Sequence, residues 1–248
     1  MESTMKVSDF LAKLKQAEAA KTLYVNGCFG APLTAANKAR YVKNTAYNKQ
    51  AARTAKINAA SADTFGFDCV CLIKGILWGW TGDKAKQYGG AVYKSNGVPD
   101  FSATAAISYC SSASSDFSGI VPGALLWMSG HVGIYIGNGL AIECTPSWDD
   151  GVQITAVGNI GKIWGYETRT WKMWGLLPWI DYAAEEQLPA GVQLVDMDVK
   201  SPKVSGTVKV PAINLGGRWY VQLRAFDDIM GIASVDYDAA KKRPKIID

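Results

Sequence analysis

The sequence predicts an α+β fold, with helices gathered ahead of an antiparallel sheet and a small α+β module at the C-terminal end. Three observations predict it. Apolar residues recur at helical spacing up to about residue 80, and from Val121 onward they alternate in short segments instead. Polar residues 183–195, punctuated by Pro and Gly, then separate this pattern from the rest of the chain. Helices first and strands afterwards is the order expected of an α+β domain with an antiparallel sheet.

In residues 7–19, Val7, Phe10, Leu11 and Leu14 fall on one helical face, and Ser8 is the expected N-cap. Residues 34–62, rich in Ala, Asn and Lys, read as polar-faced helices. The stretch "FDCVCLIKGILWGW" is apolar on almost every side, which predicts a buried helix opened by Asp68 as N-cap. Residues 81–120 are rich in Gly and Ser and read as loop with short helices. The segments "ALLWM", "HVGIYIG", "LAIECT", "VQITAV", "KIWGY" and "WKMWGLL" read as strands. Eight of the nine tryptophans precede residue 183, so composition shifts where the pattern does. The expected division is a catalytic domain of residues 1–182, a linker of 183–195 and a module of 196–248. The module reads as strand, strand, helix and strand through "TVKVPAINL", "RWYVQL", "RAFDDIMGI" and "SVDYD".

Composition removes several classes of function. With 48% hydrophobic and 19% charged residues the chain is ordinary globular protein. A net charge of +4 without a basic tail or stripe gives no footprint for nucleic acid. The longest apolar run, Cys69–Trp80, is interrupted by Lys74 and too short for a membrane span. The opening "MESTMKVSDFLAKLKQ" lacks the apolar core and cleavage site of a secretory signal, so synthesis in the cytoplasm is expected. Five cysteines, an odd number scattered over 248 residues, do not make a disulfide framework. Cys28, Cys71, Cys110 and Cys144 read as small buried hydrophobes. Cys69 and Cys71 have the wrong spacing for zinc and there is a single histidine, so neither a metal nor a cofactor is expected.

Cys69 and His131 carry the chemistry. A cysteine hydrolase needs a thiolate, a base that takes its proton and a group that orients the base. Cys69 follows the helix cap, where free N–H groups and the helix dipole are expected to lower the thiol pKa. His131, the only imidazole, heads a strand, and Glu143 lies in the strand that follows. A two-residue Asn138-Gly139 turn pairs Ile134 with Glu143 and puts the glutamate on the face away from the histidine. A three-residue loop pairs Ile136 with Leu140 and Gly133 with Glu143, which brings Glu143 diagonal to His131 on one face. The second register is the expectation; under the first, Asp149 or Asp150 would take the orienting place. Trp148, just after this hairpin, is expected to wall the cleft.

"FDCVCLI" followed by "VPGALLWMSGHVGIYIGNGLAIEC" resembles the NlpC-type cell-wall cysteine peptidases of the papain-like superfamily. The family's pattern runs Asp-Cys-Ser-Gly-Leu, Pro-Gly-Asp-Leu and His-Val-Gly-Ile-Tyr. Upstream, "YVNGCFG" is similar to its Tyr-x-aromatic-Gly-Gly segment, and the resemblance covers roughly residues 20–160. It implies a papain-like catalytic domain with Cys69 as nucleophile, His131 as base, Glu143 as the third polar group, and Tyr24 and Asp68 at the substrate cleft. Asn26, Cys28, Val70-Cys71 and Ala124 depart from the pattern, standing where the family has an aromatic, a glycine, a Ser-Gly pair and an aspartate. Glu143 stands where His, Asn or Gln is more usual, although related CHAP amidases use Glu.

The activity implied is hydrolysis of an amide bond in the peptidoglycan stem peptide, as by a phage lysin set free through holins. The alternatives are an N-acetylmuramoyl-L-alanine amidase with the same Cys–His machinery, a secreted toxin effector, and a non-catalytic wall-binding protein. The tail "INLGGRWYVQLRAFDDIMGIASVDYDAAKKRPKI" is similar to the copper amine oxidase N-terminal-like module of wall hydrolases, which implies attachment to the wall without copper. Residues 183–248 contain neither His nor Cys, in keeping with that. The expected partner is thus the bacterial cell wall.

Overall fold

The structure, a computed structural model, describes residues 4–183 and, beyond them, strands within residues 192–247. The chain divides into two compact units, Met1–Glu185 and Glu186–Asp248. The first unit is α+β.

A short strand β1 (Met5–Lys6) runs straight into helix α1 (Val7–Glu18). Ser8 therefore lies inside the first turn and does not cap it; extended Lys6 holds the cap position without a side-chain bond. Phe10, Leu14 and Ala17, spaced i, i+4, i+7, form the buried face of α1. Strands β2 (Thr22–Tyr24) and β3 (Phe29–Pro32) follow, then α2 (Ala35–Tyr41), whose cap Thr34 accepts the Asn37 N–H. Helix α3 (Ala51–Ala59) and strand β4 (Phe65–Phe67) lead into α4 (Cys69–Leu77). Strand β4 lies between β2 and β3 in a three-stranded sheet.

All nine residues of α4 are buried, as an all-round apolar sequence requires. Val70, Leu72, Ile73, Ile76 and Leu77 are each at most 7% exposed; at about 1.5–3 kcal/mol for each such side chain, they make this short helix a main anchor of the core.

Loop and single 3-10 turns span most of 78–124, interrupted by a strand the sequence did not predict, β5 (Ser111–Ser114). Then come β6 (Leu125–Met128), β7 (His131–Gly137), β8 (Leu140–Thr145), β9 (Gly151–Val157), β10 (Thr168–Arg169), β11 (Met173–Leu176) and β12 (Ile180–Asp181). Six of these join β5 in a seven-stranded sheet of order β10-β9-β8-β7-β6-β11-β5, antiparallel except for β10 beside β9. The predicted strand "KIWGY" does not form. Its Trp164 is 98% exposed, and the two-residue β10 after it takes the edge.

Alternation sends the two faces of the sheet to different cores. Val132, Ile134, Ile142, Cys144 and Val152 pack with α4, whereas Tyr135, Ala141, Val157, Trp171 and Trp174 form a second cluster. The second unit holds an antiparallel meander of β13 (Val192–Lys200), β14 (Thr207–Leu215) and β15 (Arg218–Val221), and a hairpin of β16 (Ser234–Asp238) and β17 (Arg243–Ile247). Strand β13 begins within the stretch read as linker. The helix expected at "RAFDDIMGI" lies outside the described residues.

Candidate active site

Cys69 opens α4, and Asp68 caps it as the sequence predicts, its Oδ1 accepting the Cys71 N–H at 2.7 Å. Its Oδ2 accepts the Gly27 N–H at 2.7 Å, tying the β2–β3 loop to the helix start. Both carboxylate oxygens thus accept backbone N–H groups, and Asp68, 5% exposed, is cap and loop anchor while it also lines the cleft, as expected of it.

Cys71 and Lys74 of α4, with Cys69 at its head and Trp78 just past its end, line a cleft of about 490 Å³. Tyr24, Asn26, Gly27 and Gly130 stand around its Cys69 end. At the other end the Lys74 ammonium, 5% exposed, is held by Asp100 and by the Phe101 carbonyl at 2.8 Å. Tyr24 faces the cleft as expected; burial first, then the Asp68 carboxylate and Cys69, push its phenol above the ordinary range. Trp148 does not line the cleft. Its left-handed backbone (φ 57°) turns the ring, 43% exposed, under the Arg169 guanidinium at 4.9 Å.

Burial, and after it the Asp68 carboxylate, push the Cys69 thiol up to about 12, outweighing the N–H groups of Val132, Val70 and Cys69 that pull it down. The lowered value expected at a helix start is therefore not what this site has: a nearly dry sulfur beside a carboxylate rests as the thiol. The sulfur reaches the sheet at Val132, one residue before the β7–β8 ladder begins at Gly133–Glu143. No hydrogen bond joins it to the imidazole among the described residues. Val132 on the sulfur and Gly130 in the cleft wall nevertheless bracket His131, fixing that residue's backbone beside the thiol.

His131 and Glu143 meet as the second register predicts, because Gly133 pairs with Glu143. The turn is not the expected one, however. Asn138 (φ 52°) and Gly139 (φ 72°) form a two-residue turn with Gly137 opposite Leu140, and a bulge at Ile136 shifts the ladder by one. Nε2 of His131 lies 2.6 Å from Oε2 of Glu143.

Glu143 is fully buried. Burial pushes its carboxyl up, but hydrogen bonds from His131 and Arg169 together overcome that and hold it below the ordinary carboxylate range. An ionised carboxylate only accepts, so the hydrogen of this bond is on Nε2, and in a neutral ring the lone pair is then on Nδ1. Thr155 Oγ1 donates to Oε1 at 2.7 Å, and Arg169 Nε reaches Oε1 at 2.9 Å and Oε2 at 2.7 Å. The imidazole stacks on Trp171, centroids 5.5 Å apart and 11° between planes. Gly133 makes room for this: a Cβ there would sit 2.9 Å from the Trp171 ring.

No protein-family model matches the chain, and no curated protein is significantly similar to it. What these residues can do follows from their geometry.

Thr155, Arg169 and Trp171 were not found by sequence reasoning. One signal pointed to the arginine, since a glutamate buried in an apolar strand needs a cationic partner and "ETRTWKMW" supplies one. The alternative orienters lie elsewhere: Asp150 bonds Arg53 and Lys56, each at 2.6 Å, and the Asp149 N–H faces Gln153. Cys28, Cys71 and Cys144 are buried, Cys110 is partly so, and all five thiols are free. Among the described residues, no three His, Cys, Asp or Glu side chains come together as a metal-binding group.

Proposed function

We propose that this chain is a papain-like cysteine hydrolase that cleaves an amide bond of the peptidoglycan stem peptide, acting as a phage lysin released from the cytoplasm to the wall. The observation that carries the reading is Cys69 at the start of a buried helix, in the wall of an open cleft, with the Val132 N–H on its sulfur and the adjacent residue, His131, paired with Glu143. The resemblance of the Cys69 and His131 segments to NlpC-type peptidases supports the same reading.

In this mechanism Cys69 Sγ attacks the amide carbonyl as its proton passes to Nδ1 of His131. The oxyanion takes the Cys69 backbone N–H, which has no intrahelical carbonyl partner at the helix start. His131 then protonates the amide nitrogen, the C–N bond breaks and the amine leaves a thioester on Cys69. Water loses a proton to His131 and attacks the thioester; the acid departs and the thiol is restored. Glu143 orients the imidazole and balances its charge while it is protonated. The tail attaches the enzyme to the wall.

The test is mass spectrometry of purified peptidoglycan digested by the protein. New amino termini within the stem peptide, lost in Cys69→Ala and kept in Cys71→Ala, are expected. Iodoacetamide should stop the reaction and a chelator should not. A free terminal L-alanine as the only new end would assign the amidase reaction, and binding without any cleavage would overturn the hydrolase reading.

A further inference from the structure

Arg169 belongs to no motif that led to the site, yet it is built into it. Its Nε contacts both oxygens of Glu143, a second nitrogen lies 3.5 Å from Thr145 Oγ1, and its guanidinium lies 4.9 Å from the Trp148 ring and 5.7 Å from the Trp171 ring. Trp171 also stacks on the His131 imidazole. Among the described residues, the charged or titratable groups on Glu143 are His131 from β7 and Arg169 from β10; β9 contributes only the Thr155 hydroxyl.

We propose that Arg169 is a positioning residue: it keeps Glu143 a carboxylate, so that His131 holds its hydrogen on Nε2 and offers a bare Nδ1 as the base. The chemistry turns on one proton. A fully buried carboxyl without a cation favours its neutral form. Neutral Glu143 would donate its O–H to Nε2, and the imidazole hydrogen would then sit on Nδ1, the atom that has to receive the thiol proton. The ring would keep its place and lose its function. A guanidinium stays charged at every working pH and is weakly hydrated, which suits it to this partly buried position against two indoles.

This inference rests on the reading of His131 as the base, but its readout needs no substrate. His131 is the only histidine, so the imidazole ¹⁵N signals of the full chain report a single ring. The wild type is expected to show the Nε2–H tautomer at neutral pH, Arg169→Gln the Nδ1–H tautomer, and Arg169→Lys, which keeps the charge, the wild-type pattern. In Arg169→Gln, turnover near neutral pH should fall by about 10²–10⁴-fold and recover as rising pH ionises Glu143; a merely structural loss would be equal at all pH.

A folded Arg169→Gln chain that keeps the Nε2–H tautomer would overturn the proposal. If that variant does not fold, Arg169→Lys decides: the Nδ1–H tautomer in a folded lysine variant shows that the charge at this position does not set the proton. A tautomer that flips in a chain that cuts nothing would keep Arg169's role and remove the hydrolase. An unflipped tautomer in an active enzyme would do the reverse.

Discussion

At the scale of single residues, the cost of a dry nucleophile should be visible in its reactivity. Alkylation needs the thiolate, and Cys69 is pushed up to about 12 by burial and the Asp68 carboxylate. Its reaction with iodoacetamide is expected to speed up about tenfold per pH unit from about pH 6 to about pH 9 without levelling off. A plateau already reached near neutrality would mean that the helix start outweighs burial. Cys69, His131 and Glu143 were legible in the sequence because residue type and order announce them: a thiol after a capping aspartate, a lone imidazole and a carboxylate in an apolar strand. The state of the thiol was not legible, since it depends on how much water the folded site admits.

At the scale of elements, the α4 start is held by one side chain with two tasks. Replacing Asp68 by Ala removes the acceptor of the Cys71 N–H and of the Gly27 N–H. The lost cap is worth about 1 kcal/mol and an unmade buried bond about 1–3 kcal/mol, so a loss of roughly 2–4 kcal/mol in chemical denaturation is expected. Asp68→Asn retains an acceptor for one N–H and should lose less. It also removes the negative neighbour of Cys69, so its alkylation at neutral pH should be faster than in the wild type; an unchanged rate would show burial alone to be responsible.

Helix α4 and the hairpin strands were legible because their apolar periods are long enough to count. Strands β2 and β4, three residues each, are too short to show a period, and β5 is serine throughout but for Ala113. Such strands exist only because a partner stands beside them.

At the scale of the whole molecule, the seven-stranded sheet, its helices and its cores are complete within the first unit. A fragment of residues 1–185 is therefore expected to unfold in one cooperative step and to keep its activity on soluble muropeptides. Its retention on intact walls in a pull-down should drop several-fold. Equal retention of fragment and full chain would show that the tail does not hold the wall. The division was legible from the tryptophan imbalance and the polar stretch at 183–195. Where that stretch ends was not, because β13 starts at Val192 and its Val, Gln and Leu can serve linker or strand alike.

The bulge at Ile136 gives the hairpin an unusual tolerance of deletion. Faces of a strand are a matter of odd and even, and losing one residue normally exchanges them all. Here the strand already carries one residue more than its partner, and that residue lies between His131 and the turn. Excising Ile136 should yield a regular ladder in which Gly133 still opposes Glu143, the His131–Glu143 bond survives and the imidazole tautomer is unchanged, at the cost of some packing against the main core. Excising Ile134, three residues from His131 and inside the regular ladder, should send the histidine to the other side and abolish the pair unless the bulge itself is absorbed. Length variation among proteins built on this hairpin should accordingly collect at position 136 and avoid the stretch 131–135.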